Sequence, residues 1–61
     1  MNKRELKHNI NQELKFQAQC AASIGECISK KDLNTASKLK YEIKKSKERV
    51  SQLENSIVNL N

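Results

Sequence analysis

The second half of the chain carries a heptad repeat. Ala36, Ile43, Val50 and Ile57 recur every seven residues, and Leu39, Ser46, Leu53 and Leu60 follow each of them by three. Such spacing puts all of these residues on one side of an α-helix, whereas the side chains of a strand alternate with a period of two. β-Branched residues fill most of the first core position and leucine most of the second, a distribution that favours two strands in parallel coiled coils. Ser46 is the single polar core position, and one polar residue in such a seam helps to fix register. The repeat therefore demands another helix beside it, without saying which one.

The first half reads as a second amphipathic helix. Leu6, Ile10, Leu14, Cys20, Ala21, Ile24, Cys27 and Ile28 fall in one sector at helical spacing. Glu13 and Gln17 interrupt that stripe, and Phe16 lies on its flank. Gly25 is about 1 kcal/mol less favourable than alanine in mid-helix. Beside Cys20, Ala21 and Ala22, it reads either as room for another helix to approach closely or as a tolerated glycine near a helix end.

Between the two stripes the apolar rhythm is broken by four polar residues, Ser29, Lys30, Lys31 and Asp32, in a chain without proline. Asp32 is a good N-cap, able to accept from the amides of Asn34 or Thr35. Ser29 with Asp32 three residues on offers an alternative capping-box start. Lys30 and Lys31 suit the negative end of a preceding helix dipole. The expected fold is all-α: one unit spanning 1–61, an antiparallel two-helix hairpin with its turn near 29–32. Its helices cover about 3–28 and 33–60, and two copies would dimerise into a four-helix bundle. The alternative is a single continuous coiled-coil helix, ~90 Å long at about 1.5 Å per residue.

Residues 32–43, DLNTASKLKYEI, resemble the UVR motif, the short helical hairpin named after the UvrB and UvrC repair proteins. That pattern runs aspartate, large apolar, acid, any, two alanines, any, leucine or isoleucine, arginine, aspartate, any, isoleucine or leucine. Asp32, Leu33, Ala36, Leu39 and Ile43 match, and Lys40 keeps the positive charge of the arginine. Asn34, Ser37 and Tyr41 depart from it, Tyr41 standing where the motif has its second aspartate. The resemblance covers roughly a fifth of the chain. It implies a turn at Asp32 and a protein-docking role, and it does not imply DNA repair. In format, two matched helices in 61 residues are also similar to the small co-chaperones of type III secretion and to the RNA-binding Rop hairpin dimer.

At this length a chain rarely buries enough surface to stand alone. The longest mostly apolar run, Ala21 to Gly25, is far short of the ~20 residues that a bilayer span needs. Glu5 and the polar residues after it interrupt any signal-peptide core behind Lys3 and Arg4. The expected setting is cytoplasmic, with no membrane association. Cys20 and Cys27 lie seven residues apart, roughly 10 Å along a helix, which is too far for a disulfide within it. They lack the close spacing of a zinc pair, and His8 lies turns away, so they read as small thiols in a helix seam. No serine or cysteine has a base at a recognisable spacing, and no glycine-rich phosphate loop is present. The expectation is no catalytic residue, no cofactor and no metal.

What remains is an interaction surface. Ile24, Ile28, Leu39, Ile43, Val50, Leu53, Ile57 and Leu60 are the candidate protein interface, for a second copy or for another helical protein. The chain has a formal net charge of +5, and Lys40, Lys44 and Lys47 line one side of the second seam at the spacing of helical neighbours. They are candidates for contact with an acidic partner or an anion. A basic hairpin that tracks nucleic-acid phosphates is the alternative function. Against it, Glu42 and Glu48 are interspersed and able to pair with Lys38, Lys44 and Lys45. Aromatic residues of the kind that stack on bases are nearly absent.

Overall fold

The computed structural model describes residues 2–60; Met1 and Asn61, the ends of the expected unit, lie outside the described residues. Two helices, α1 (Lys3–Ser29) and α2 (Leu33–Asn59), pack side by side as a hairpin. Among the described residues there is no strand.

Each helix starts on a side-chain cap. The Asn2 side chain accepts from the Glu5 amide at 2.9 Å, satisfying one of the amides that a helix start leaves open. Glu5 also puts a negative charge in that first turn, where the helix dipole favours it. At α2 the Asp32 carboxylate accepts from the Thr35 amide at 3.2 Å, one of the two bonds expected from the sequence. The competing start at Ser29 does not form. Its hydroxyl donates to the Gly25 carbonyl at 3.1 Å, which keeps Ser29 within the last turn of α1.

The turn itself is a Schellman closure. Lys30 caps α1, and Lys31 enters the left-handed region at φ 61°. The Lys31 amide donates to the Ile28 carbonyl at 3.0 Å, and the Asp32 amide donates to the Cys27 carbonyl at 2.8 Å. These two bonds satisfy carbonyls that the helix end would otherwise leave open, and they reverse the chain within three residues. A continuous rod is thereby excluded: the long axis measures 47 Å, about half of what one unbroken helix would need.

The core is one seam thick. Leu6, Cys20, Ala36, Ser46 and Val50 are buried, and most other seam residues are half-buried. The 7.0 kDa chain exposes 4816 Å², where a globular chain of that mass exposes roughly 4,000 Å². The excess, about 800 Å², is what one partner of an ordinary protein interface covers.

Candidate interaction surface

Register follows from the polar contacts that join the helices. The Gln17 side-chain amide donates to the Ser46 hydroxyl at 3.1 Å, and that hydroxyl donates to the Glu13 carbonyl at 3.3 Å. Arg49 Nε reaches both carboxylate oxygens of Glu13, at 2.7 and 3.0 Å. With Gln17 level with Ser46, the α1 seam runs Leu6, Ile10, Glu13, Gln17, Cys20, Ile24, Cys27. Opposite it run Ile57, Leu53, Val50, Ser46, Ile43, Leu39 and Ala36 in reverse order. Glu13 and Gln17 therefore do not interrupt the stripe; they are members of it. Ser46 is fully buried, and its hydroxyl both receives and gives a hydrogen bond, as a buried polar group needs.

This layer also sets the main electrostatic feature. The hydrogen bond from Arg49 holds the Glu13 carboxyl below the usual carboxylate range, with the guanidinium charge and the Ser46 hydroxyl adding to the effect against partial burial. The same contact pushes Arg49 upward. At the turn, the bonds from Thr35 lower Asp32. Each shift reflects a hydrogen bond to the charged form.

The expected interface residues separate into two groups. Val50 is buried, and Ile24, Leu39, Ile43, Leu53 and Ile57 are half-buried; this group faces the chain's own partner helix. Ile28 and Leu60 instead remain 53% and 51% exposed. Cys20 is buried, Cys27 half-buried, and both are free thiols. A Cβ placed on Gly25 would meet nothing within 4 Å, so α2 makes no close approach there.

The two long sides of the hairpin differ. A step of one residue turns a helix by roughly 100°. Because α1 and α2 run in opposite directions, a forward step on each swings to the same side of the pair. Residues just before the seam positions form one side. There Arg49, beside Glu13, lies with its guanidinium carbon 6.0 Å from the centre of the Phe16 ring, over a shallow groove with Asn9, Gln12, Gln52 and Ser56. Residues just after the seam positions form the other side. Leu14, Ala21 and Ile28 of α1 share it with Lys40, Lys44 and Lys47 of α2, and all six are exposed.

Among the described residues the one ion pair is Arg49 with Glu13. The pairing expected of Glu42 and Glu48 with Lys38, Lys44 and Lys45 is not formed; Lys45 instead sits 5.5 Å from the centre of the Tyr41 ring. Lys40, Lys44 and Lys47 make no ion pair either. Among the described residues no group of three or more His, Cys, Asp or Glu side chains is placed to hold a metal, and no helix is long and apolar enough to cross a membrane.

By spacing alone the apolar sector of α1 is one stripe. It divides into the seam and an outward strip of Leu14, Ala21 and Ile28, with Ala18 and Gly25 between them. Spacing held the signal: Leu6, Ile10, Glu13, Gln17, Cys20, Ile24 and Cys27 follow a 4-3 alternation once the polar pair is admitted, and Leu14, Ala18, Ala21, Gly25 and Ile28 are each one position later. No family model, no curated protein and no solved structure matches this chain.

Proposed function

We propose that the protein is a non-enzymatic protein–protein interaction module that offers helices of another protein a helical face. The observation that carries this reading is the apolar surface the hairpin leaves outside: Leu14, Ile28, Leu33 and Val58 are 49%, 53%, 66% and 67% exposed. A thin seam in a short chain gains stability when a partner covers such residues. The resemblance of residues 32–43 to the UVR motif, which is a docking hairpin, supports the same reading. A second copy would have to use this outer surface as well, because the heptad seam of α2 already packs on α1. Two thiols unable to bridge one another fit a reducing, cytoplasmic setting.

Site-specific photocrosslinking in the cells that make the protein tests this function. A photoreactive residue at position 21 or 28 should give one discrete protein adduct. The same probe at position 42, on the opposite side, should give none. Equal or absent adducts at the two sides would refute the reading. The unpaired Lys40, Lys44 and Lys47 favour one second reading, nucleic-acid binding. A salt-sensitive gel shift lost on replacing these three by glutamate is its signature.

A further inference from the structure

The apolar strip of α1 and the lysine line of α2 lie on one side of the hairpin, and their chemistry selects what can cover them. From Leu14 the strip continues through Ala18, Ala21, Gly25 and Ile28 at 4-3-4-3 spacing, every one of these residues exposed. That is the spacing of a helix seam. The small residues in its middle leave room for a second axis at the usual separation of about 8–10 Å. Along its α2 edge stand Lys40, Lys44 and Lys47, without ion pairs among the described residues. No aspartate or glutamate occupies a strip or lysine-line position between Leu14 and Ile28 or between Leu33 and Lys47.

We propose that this side docks an acidic amphipathic helix of a partner protein. Such a helix lays its apolar stripe on Leu14, Ala21 and Ile28 and carries carboxylates along the edge that meets the lysines. A second copy fits poorly, because it would bring the same cations to a stretch of this side, Leu14 to Ile28 and Leu33 to Lys47, that carries no carboxylate, Glu54 lying beyond it, in a chain of net charge +5. Like charges brought together at an interface oppose binding. A phosphate backbone would engage the lysines but leave the aliphatic strip in water, and no arginine or aromatic residue stands among the strip positions from Leu14 to Ile28 or the lysine-line positions from Leu33 to Lys47 to stack on bases. Only an occupant that is apolar on one edge and acidic on the next satisfies both features. The inference rests on the docking reading above and goes further by naming the partner's chemistry.

The test uses the full chain and a labelled synthetic peptide of about four heptads, with leucine and alanine at the seam positions and glutamate on the flanks. A matched peptide carries lysine flanks. Fluorescence anisotropy should show binding of the acidic peptide that weakens with salt, and none of the basic one. Lys40→Glu with Lys44→Glu should weaken it by about tenfold or more, and so should Ala21→Asp. Lys38→Glu with Lys45→Glu makes the same change in net charge on the opposite side and should stay within about twofold. Circular-dichroism melts establish that every variant compared is folded.

Equal weakening by the two lysine pairs, or no effect of Ala21→Asp, overturns the proposal. So does a labelled DNA duplex whose binding is lost with Lys40 and Lys44 but unchanged by Ala21→Asp, which would make nucleic acid the occupant. A sedimenting dimer dissociated by Ala21→Asp overturns it in favour of a second copy. A crosslinked protein partner at position 21 without binding of the acidic peptide sinks this inference alone. Absence of the crosslink sinks the docking reading itself.

Discussion

Replacing Lys31 by glycine should stabilise the hairpin. Lys31 sits at φ 61°, where a residue with a Cβ is strained by roughly 1–2 kcal/mol. It is held there by its own amide bond to Ile28 and by the bond from Asp32 to Cys27, at 3.0 and 2.8 Å. Glycine takes the same angles without the Cβ contact and is the common residue at this helix-end position. It also loosens the unfolded chain, which offsets about 0.4–1 kcal/mol. The difference is a net gain of about 0.5–1 kcal/mol. For a domain of this size that corresponds to a rise in Tm of roughly 2–8 °C. Far-ultraviolet circular dichroism, repeated across a range of protein concentrations, separates this gain from any association. Lys31→Ala is the proper control: it removes the same charge from the end of α1 but keeps the Cβ. Lys31→Val should melt below both, since a β-branched residue is a poor occupant of this region. A glycine variant that melts no higher than the alanine variant refutes the argument.

Three further outcomes follow from the packing and charge. Gly25→Ala should raise stability by about 0.5–1 kcal/mol, because the new methyl group enters open space in a helical position; a lower Tm would mean that the position is crowded. Val50→Asp should abolish the cooperative melt, since a carboxylate at this buried seam position has no partner and typically destabilises by about 3–5 kcal/mol. A variant that keeps the wild-type helical signal would place Val50 outside the seam. The Glu13 carboxyl is held below its ordinary 4.5. A group depressed in the folded state contributes stability that is full above its unfolded value and is lost as pH falls through the folded one. Melting temperature should therefore fall in acid from about pH 4.5 downward, and Glu13→Gln should flatten that fall. An unchanged acid limb would assign it to Asp32, which is shifted the same way.

The turn was legible because its chemistry is local. Asp32 followed by an apolar stripe announces a helix start, and the heptads on each side are long enough to make two matched helices. The route of the reversal was less legible, since Lys31 adopts a conformation usually assigned to glycine or asparagine. The α1 seam was harder still. Glu13 and Gln17 look like breaks when polarity is the only criterion. Their place in the seam depends on Ser46 and Arg49, some thirty residues away, which supply the matching hydrogen bonds. The lysine side was half-visible. Periodicity brought Lys40, Lys44 and Lys47 together, but only the hairpin's direction sets them beside Leu14, Ala21 and Ile28. A stripe tells which residues share a face, and the other helix decides which part of that face is covered.

The hairpin also has a mechanical character. Lys3 and Asn59 stand at one end of a 47 Å body and the Lys30–Asp32 turn at the other. A pull between Lys3 and Asn59 loads the seam one layer at a time, first at Leu6 and Ile57, so that it peels open at low force. A pull between one end and the turn runs along a single helix instead, and leaves the seam unloaded until that helix itself stretches. Peeling from that end must break the cross-helix hydrogen bonds of Glu13, Gln17, Ser46 and Arg49 before it reaches the layers nearer the turn. Up to that point the layers of Cys20, Ile24 and Cys27 remain closed, so the half of the molecule nearest the turn outlasts the end by which it is held.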